Sequence, residues 1–345
     1  MSYDDLWKAI IRPPRESYRT SDLGDQEFTM SNKNYMRTDF TLLSIQGLKI
    51  LGSHYEPIEK ERISPILPCV IYLHGNCGSR LDAQNSIFLL TGNITLVSID
   101  FPGCGLSEGE YISLGWFEQH DLANLVDYLR EERRVGSIGI WGRSMGAVTA
   151  ILYASTNPKG IKALALDSPF GKLKGVAMHL AKSRAKFVPN FVLKIGYKMI
   201  RKSIKSRAKF DIEKLKPIKY VKNVKIPAII AYSTNDELVP CKQFEKIQLK
   251  YGGPSIVNIF RGGHNDIRSV DYCTEVGLFF CKYLNVKQLK NDPISIPPHW
   301  ITEDVMKKAQ EFEENSKKND EDMQIDLFLT INASRYYSTI PSKHK

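Results

Sequence analysis

Short apolar runs rich in β-branched residues recur along this chain and alternate with segments of helical periodicity. The runs lie at 39–45, 48–55, 67–73, 95–100, 137–141, 162–167, 226–232 and 255–260. Helical patterns lie between or after them, as in WFEQHDLANLVDYLREE, AVTAILYAS and VDYCTEVGLFFCKYL. Such alternation predicts an α/β fold, in which helices cover both faces of a mostly parallel central sheet. The first two runs are expected to pair as an antiparallel hairpin through Gly47.

Two departures from this alternation divide the chain. Residues 171–225 stand between two predicted strands and predict an inserted helical cap, whereas residues 1–38 form an N-terminal extension. From 286 to 345 the composition turns polar, which predicts an appended, partly disordered C-terminal extension. The α/β domain therefore occupies 39–285.

The cap is strongly basic. It holds 17 Lys and Arg residues against two acidic residues, in a chain whose net charge is +10. Within it, residues 187–209 predict an amphipathic helix. One face comprises Val188, Val192, Ile195 and Met199, and another comprises Lys194, Lys198, Arg201 and Lys205. We expect a lid whose apolar face covers a pocket, and the basic face leaves open a contact with an anionic membrane surface.

Composition argues against several classes of protein. The N-terminus has no basic start followed by an apolar core, and no segment is apolar for long enough to span a membrane, so we expect a cytoplasmic protein, with peripheral membrane contact as the alternative. Six cysteines without a C-x-x-C pair and seven scattered histidines argue against a disulfide framework and a metal site. The cap has no recognised nucleic-acid motif, which makes nucleic acid an unexpected partner.

The segment GIWGRSMGAVTAI contains the pattern Gly142-x-Ser144-x-Gly146. The pattern alone is common, but here a predicted strand enters it and a predicted helix leaves it. This context is typical of a nucleophile elbow, a turn so tight that side chains at both glycines would collide with the strand and the helix. Ser144 would then lie at a helix N-terminus, where free N–H groups favour a developing negative charge.

A nucleophilic serine needs a base to take its proton, and the base needs a carboxylate to hold its tautomer. The loops after the last two predicted strands carry Asp236 in STNDELVP and His264 in GGHND. The order serine, acid, histidine is that of nucleophile-elbow enzymes. Glu237 and Asp167 are rival carboxylates. We expect Asp236 to be the acid, because Asp167 precedes the cap and fits a turn in LDSPF.

Acyl transfer also needs an oxyanion hole. Its expected donors are the backbone N–H groups of Met145, directly after the nucleophile, and of Asn76, in the loop of VIYLHGNCGSR. His74, just before Gly75, suits a hydrogen bond that shapes this loop. The glycine-rich loop at 98–109 is expected to support the site.

Five ordered motifs, HGNCGS, DFPGCGLSEG, GRSMGA, STNDELVP and GGHND, together resemble the serine-aminopeptidase-like branch of the α/β hydrolases over residues 40–285. The chain is also similar to α/β-hydrolase domain-containing proteins that include protein depalmitoylases, and to a protist and plant subgroup labelled as serine peptidases. The resemblance implies a Ser-His-Asp esterase-type hydrolase with no cofactor, in which Ser144, Asp236 and His264 are nucleophile, acid and base. Depalmitoylases carry an N-terminal cysteine cluster, whereas the first cysteine here is Cys69.

These observations predict a serine hydrolase that cleaves an ester or thioester through an acyl-enzyme intermediate. Its expected partner is a small-molecule or acylated-protein substrate. A serine peptidase of the same fold is the alternative. A non-catalytic scaffold on a hydrolase fold is a third hypothesis, against which the intact set of three residues argues.

Overall fold

The structure, a computed structural model, describes residues 3–184 and 188–286. Its strands form one nine-stranded sheet. In chain order they are β1 (Glu27–Met30), β2 (Lys33–Leu43), β3 (Lys49–Pro57), β4 (Leu67–Leu73), β5 (Thr95–Ile99), β6 (Val135–Arg143), β7 (Ile161–Asp167), β8 (Ala228–Ser233) and β9 (Ser255–Phe260). Each of the eight predicted runs coincides with a strand from β2 to β9.

The strands lie in the order β1-β2-β3-β5-β4-β6-β7-β8-β9. The pairs β1–β2, β2–β3 and β3–β5 are antiparallel, and every other pair of neighbours is parallel. β2 and β3 form the predicted hairpin, in which Gly47 adopts a φ of 75°. The predicted α/β fold with a mostly parallel central sheet is confirmed. The carboxyl ends of β4 to β9 meet at one edge of this sheet, which is where such folds build their sites.

Helices cover both faces of the sheet, as predicted. They are α1 (Tyr3–Ile11), α2 (Glu118–Glu132), α3 (Met145–Ala154), α4 (Leu173–Arg184), α5 (Asn190–Ala208), α6 (Cys241–Lys250) and α7 (Val270–Tyr283). Successive residues of β4 join two different apolar clusters, because side chains of a strand alternate between its faces. Ile71 packs with α2 and α3, whereas Val70 packs with α7 and the 3-10 segment Arg80–Gly92.

The N-terminal segment belongs to the same folded unit. β1 and the first six residues of β2 precede residue 39, so the sheet begins within the segment 1–38 that the sequence sets apart as an extension. α1 packs on the cap helix α5, where the hydroxyls of Tyr3 and Ser203 lie 2.8 Å apart. The predicted C-terminal extension lies, from residue 287 onward, outside the described residues.

The cap connects β7 to β8 and contains α4 and α5. The helix expected over 187–209 is α5, but the expectation that its apolar face is buried is wrong. Ile195 and Met199 on that face are exposed, whereas the opposite face packs inward through the buried side chains of Tyr197, Ile204 and Ala208. Arg201, expected on a solvated basic face, is paired with Asp211 at 2.6 Å. Within the described residues, no helix combines the length and apolar character needed to cross a membrane.

Candidate active site

Ser144 lies on the sharp turn between β6 and α3. Its φ and ψ of 50° and −106° are rarely adopted by residues other than glycine. A Cβ added at Gly142 would lie 2.4 Å from the backbone of Gly146, and one added at Gly146 would lie 2.1 Å from the carbonyl oxygen of Leu73. Both glycines are therefore required by the close approach of β4, β6 and α3, as the sequence pattern predicts for an elbow.

His264 joins Ser144 to Asp236. Its Nε2 lies 2.9 Å from Oγ of Ser144, and its Nδ1 lies 2.6 Å from Oδ2 of Asp236. An ionised carboxylate only accepts hydrogen bonds, so Nδ1 carries a proton and Nε2 is free to accept the proton of the serine hydroxyl. The other oxygen of Asp236 accepts from the backbone N–H groups of Leu238 and Val239, at 2.9 and 2.7 Å, which fix the carboxylate in place. The ring and the carboxylate are both buried.

The two rival carboxylates have other partners. Glu237 accepts from the backbone N–H of His264 at 3.3 Å rather than from its ring. Asp167 forms a bidentate ion pair with Arg268, at 2.7 and 3.0 Å. Burial opposes ionisation of Asp167, but Arg268, with smaller contributions from Arg143 and the Ser168 hydroxyl, outweighs burial and lowers the pKa of Asp167. The backbone carbonyl of Asp167 also accepts from the N–H of Ser144 at 2.7 Å, so the backbone of Asp167 supports the elbow.

Two arginines that the sequence interpretation did not single out hold the histidine loop. Arg268 donates to the backbone carbonyls of Asp266 and His264, at 2.8 and 3.1 Å. Arg143, directly before the nucleophile, donates to the same two carbonyls, at 2.9 and 3.0 Å. Arg143 lies within the motif GRSMGA and Arg268 lies two residues after the motif GGHND, so closeness to these motifs is the one signal in the sequence that points to them.

The expected oxyanion donors lie beside the serine. Met145 is the first residue of α3, so its N–H belongs to the first turn, whose N–H groups have no acceptor within the helix. A Cβ added at Gly75 would lie 4.0 Å from Cβ of Ser144, which brings the loop of Asn76 next to the nucleophile. The catalytic roles of Ser144, Asp236 and His264 and of these donors stay predictions.

His74 shapes that loop through both ring nitrogens. Nδ1 lies 2.6 Å from the carbonyl oxygen of Gly75, and the backbone N–H of Phe101 donates to Nε2 at 3.1 Å. Burial lowers the pKa of His74, which agrees with a neutral ring that donates from one nitrogen and accepts at the other. The ring therefore ties the loop after β4 to the loop after β5.

The loop after β5 is organised around a buried carboxylate. Asp100 accepts from the hydroxyl of Tyr18 at 2.6 Å and from the backbone N–H groups of Arg80 and Leu106 at 2.7 and 2.9 Å. Gly105 adopts a φ of 46°, and a Cβ there would lie within 2.5 Å of the Asp100 carboxylate. This glycine-rich loop is thus a hydrogen-bonded support. In the described part of the chain, no group of three or more His, Cys, Asp or Glu side chains could hold a metal ion.

Similarity to known proteins agrees with this architecture. Residues 68–198 match the family model for the alpha/beta hydrolase fold. The uncharacterized protein YqkD of Bacillus subtilis is 26% identical over 251 residues, which cover 72% of this chain and 78% of YqkD. Proline iminopeptidase of Neisseria gonorrhoeae is 31% identical over 101 residues, which cover 29% of this chain and 32% of that enzyme.

Solved structures share the fold at lower identity. The Pyrococcus furiosus esterase Pf2001 superposes with a TM-score of 0.58 and 22% identity, over 79% of this chain and 98% of the esterase. Est1E of Butyrivibrio proteoclasticus, solved with ferulic acid, superposes with a TM-score of 0.52 and 18% identity, over 71% and 99%. A puromycin-hydrolyzing peptidase of Mycobacterium tuberculosis superposes with a TM-score of 0.55 and 16% identity, over 73% and 40%.

Proposed function

Because the chain has an α/β-hydrolase fold and its residues 68–198 match the family model for that fold, we propose that it is a serine hydrolase that cleaves an ester or thioester through an acyl-enzyme intermediate. One observation carries the proposal. The imidazole of His264 bridges Ser144 and Asp236 through its two nitrogens, at 2.9 and 2.6 Å. This arrangement activates a serine hydroxyl, which is otherwise a weak nucleophile.

The proposed first half-reaction forms the acyl-enzyme. Oγ of Ser144 attacks the substrate carbonyl carbon while Nε2 of His264 takes the hydroxyl proton. Asp236 keeps its hydrogen bond from Nδ1 and stabilises the imidazolium without being protonated. As the tetrahedral intermediate collapses, the bond to the leaving group breaks. The imidazolium gives its proton to the departing alkoxide or thiolate, which leaves as an alcohol or thiol.

The second half-reaction restores the enzyme. Water enters where the leaving group was, Nε2 takes one of its protons, and the remaining hydroxide attacks the acyl carbon. The proton then returns to Oγ of Ser144 and the carboxylic acid is released. In both halves the backbone N–H groups of Met145 and Asn76 are the proposed donors to the oxyanion, a contribution of roughly 3 to 4 kcal/mol per donor where it has been measured in other enzymes.

The fold neighbours support ester cleavage as the first choice, because Pf2001 is an esterase and nearly its whole length superposes on this chain. We infer a small-molecule or acylated-protein substrate. A peptidase is the second candidate, and the partial match to proline iminopeptidase favours it. Both reactions need the same nucleophile and base, so the two candidates differ in the leaving group.

A panel of substrates with one acyl group and three leaving groups tests the proposal. We expect the wild-type protein to hydrolyse an aryl ester and a thioester faster than the matching amide. Ser144→Ala should lose about 10⁴ to 10⁶ of the rate, because it removes the nucleophile. Ser155→Ala, at the far end of α3, is the control and should keep wild-type activity. Preferred amide hydrolysis would select the peptidase, and a folded Ser144→Ala protein with wild-type turnover would reject both.

A further inference from the structure

Helix α5 of the cap presents apolar side chains to solvent. Phe191, Ile195 and Met199 are 65%, 54% and 53% exposed. Together with Val192 they follow the spacing of one helix face, three or four residues apart. We call these four residues the cap stripe. An amphipathic helix of a globular protein normally buries such a face, so this contiguous apolar surface indicates an interaction site.

The opposite face anchors the helix. Tyr197, Ile204 and Ala208 are buried, and the hydroxyl of Tyr197 donates to Glu213 at 3.1 Å. Arg201 makes two hydrogen bonds to Asp211, at 2.7 and 2.6 Å. The cap stripe is therefore the outward face of a docked helix rather than the inward face of a detached one.

Within the sequence of the cap, the charge next to the cap stripe is of one sign. The exposed side chains of Lys194, Lys198 and Lys202 lie on the same helix, between and beside the apolar residues. The sequence has no acidic residue from 168 to 210, and the next two carboxylates, Asp211 and Glu213, are already paired with Arg201 and with lysines of the cap. No neighbouring carboxylate is left to neutralise the three lysines within this stretch.

We propose that the cap stripe and its flanking lysines bind the headgroup region of an anionic lipid bilayer. An apolar helix face edged with lysine is the pattern of helices that lie in a membrane interface: the apolar side chains enter the acyl boundary and the lysines attract anionic headgroups. A second copy of this chain would bring like charges together. The segment 287–345 carries nine basic and ten acidic residues, so its overall charge gives little complementarity. An anionic bilayer complements both the apolar residues of the cap stripe and the lysines that flank it.

Co-sedimentation of the full chain with vesicles tests the proposal directly, and the result does not depend on catalysis, because Ser144→Ala should bind like wild type. We expect binding to vesicles of phosphatidylcholine with phosphatidylserine, weaker binding to phosphatidylcholine alone, and loss of most binding at high salt. A triple variant, Phe191→Ser with Ile195→Ser and Met199→Ser, should bind about tenfold more weakly or worse. Lys194→Gln with Lys198→Gln and Lys202→Gln should weaken binding similarly and remove its salt dependence.

A matched charge control lies on α6, where Lys242, Lys246 and Lys250 are also exposed. Changing these three to Gln removes the same net charge and should leave vesicle binding at the wild-type level. Thermal melts of each variant establish that it is folded. No binding by wild type at low salt, or equal loss in the α6 control, would overturn the proposal. A lipid-free dimer that the cap-stripe variant dissociates would assign the surface to a second copy instead.

Discussion

Ser144 has a backbone conformation that costs energy and that only its surroundings maintain. A residue other than glycine with a φ of 50° outside the usual regions is strained by about 1 to 3 kcal/mol. Its N–H donates to the carbonyl of Asp167, and the flanking glycines let β4, β6 and α3 approach within van der Waals distance. In this conformation the hydroxyl of Ser144 lies 2.9 Å from Nε2 of His264.

Two substitutions test whether Asp236 or Glu237 is the acid that pairs with His264. Asp236→Asn should lower kcat by about 10³ to 10⁴, because an amide cannot accept the Nδ1 proton with the same strength and admits the wrong tautomer of His264. Glu237→Gln should cost less than about tenfold, since its oxygen accepts from the backbone N–H of His264 rather than from the ring, and an amide oxygen accepts equally well. Steady-state kinetics on an aryl ester measures both. The reverse ranking would transfer the role to Glu237.

Arg268 is expected to act as a positioning residue. It spans Asp167 and the carbonyls of His264 and Asp266, contacts that the planar guanidinium makes together and a lysine cannot. Arg268→Lys should lower kcat about tenfold and leave KM within about twofold, because substrate binding is untouched while the base is less well held. Rates are taken per active site titrated, and Arg130→Lys on α2 is the control. A changed KM at constant kcat would contradict this role.

Sequence reasoning found the residues at strand ends and missed those that reach across the site. Ser144, Asp236 and His264 were identifiable because loops after parallel strands meet at one sheet edge. Arg268 contacts the carboxylate of Asp167, 101 positions away in the sequence, and this pairing is what argues against Asp167 as the acid. Such pairing depends on how two distant loops pack, and neither residue's neighbours in the sequence encode it.

Among the elements, α2 carries a carboxyl group whose pKa the fold raises. Asp121 is 1% exposed, and its Oδ1 accepts from the N–H of Ile45 at 3.3 Å. Burial, with a smaller contribution from Glu118, raises the pKa of Asp121 from 3.8 to about 7. The folded state therefore keeps a proton that the unfolded state loses. The favourable contribution of Asp121 to the free energy of unfolding is therefore complete below about pH 4 and is lost as the pH rises to about 7.

Asp121→Asn should remove the loss of stability that accompanies the titration of Asp121. The variant and wild type should be similarly stable near pH 4, and the variant should become the more stable protein between about pH 4 and 7 and stay so above it. At 1.36 kcal/mol per pKa unit, the largest difference in free energy of unfolding between the variant and wild type is roughly 4 kcal/mol. Urea unfolding at several pH values measures it, with Asp127→Asn, exposed on the same helix, as the control. A constant difference at all pH values would show that the titration of Asp121 has no part in it.

The cap helix shows what periodicity can and cannot predict. The sequence predicts a helix at 187–209, and the structure has one at Asn190–Ala208. The helical periodicity identifies which residues share a face of the helix. Which of these faces is buried depends on the elements that pack against the helix. Here α1 meets the helix through Tyr3 and Ser203, which are 200 positions apart in the sequence, and the apolar cap stripe is left outside.

At the scale of the whole molecule, the sheet follows from the strands because buried parallel strands are continuous apolar runs with distinct ends. β1 has only four residues, with alternate side chains exposed, and gives no such run. The position of β5 between β3 and β4 was not predictable from local pattern either, since it depends on the crossover through the segment Arg80–Gly92. This topology brings the loops after β4, β6, β8 and β9 to one edge of the sheet.

The groups gathered at this edge are expected to make Ser144 a nucleophile. Labelling the intact, folded protein with a fluorophosphonate, followed by peptide mass spectrometry, tests it most directly, because the reagent modifies serines that a neighbouring base activates and needs no knowledge of the substrate. We expect one adduct, on Ser144, in the wild-type protein, no adduct in Ser144→Ala, and labelling at least about 10³-fold slower in His264→Gln. An adduct on a different serine, or equal labelling of wild type and His264→Gln, would contradict it.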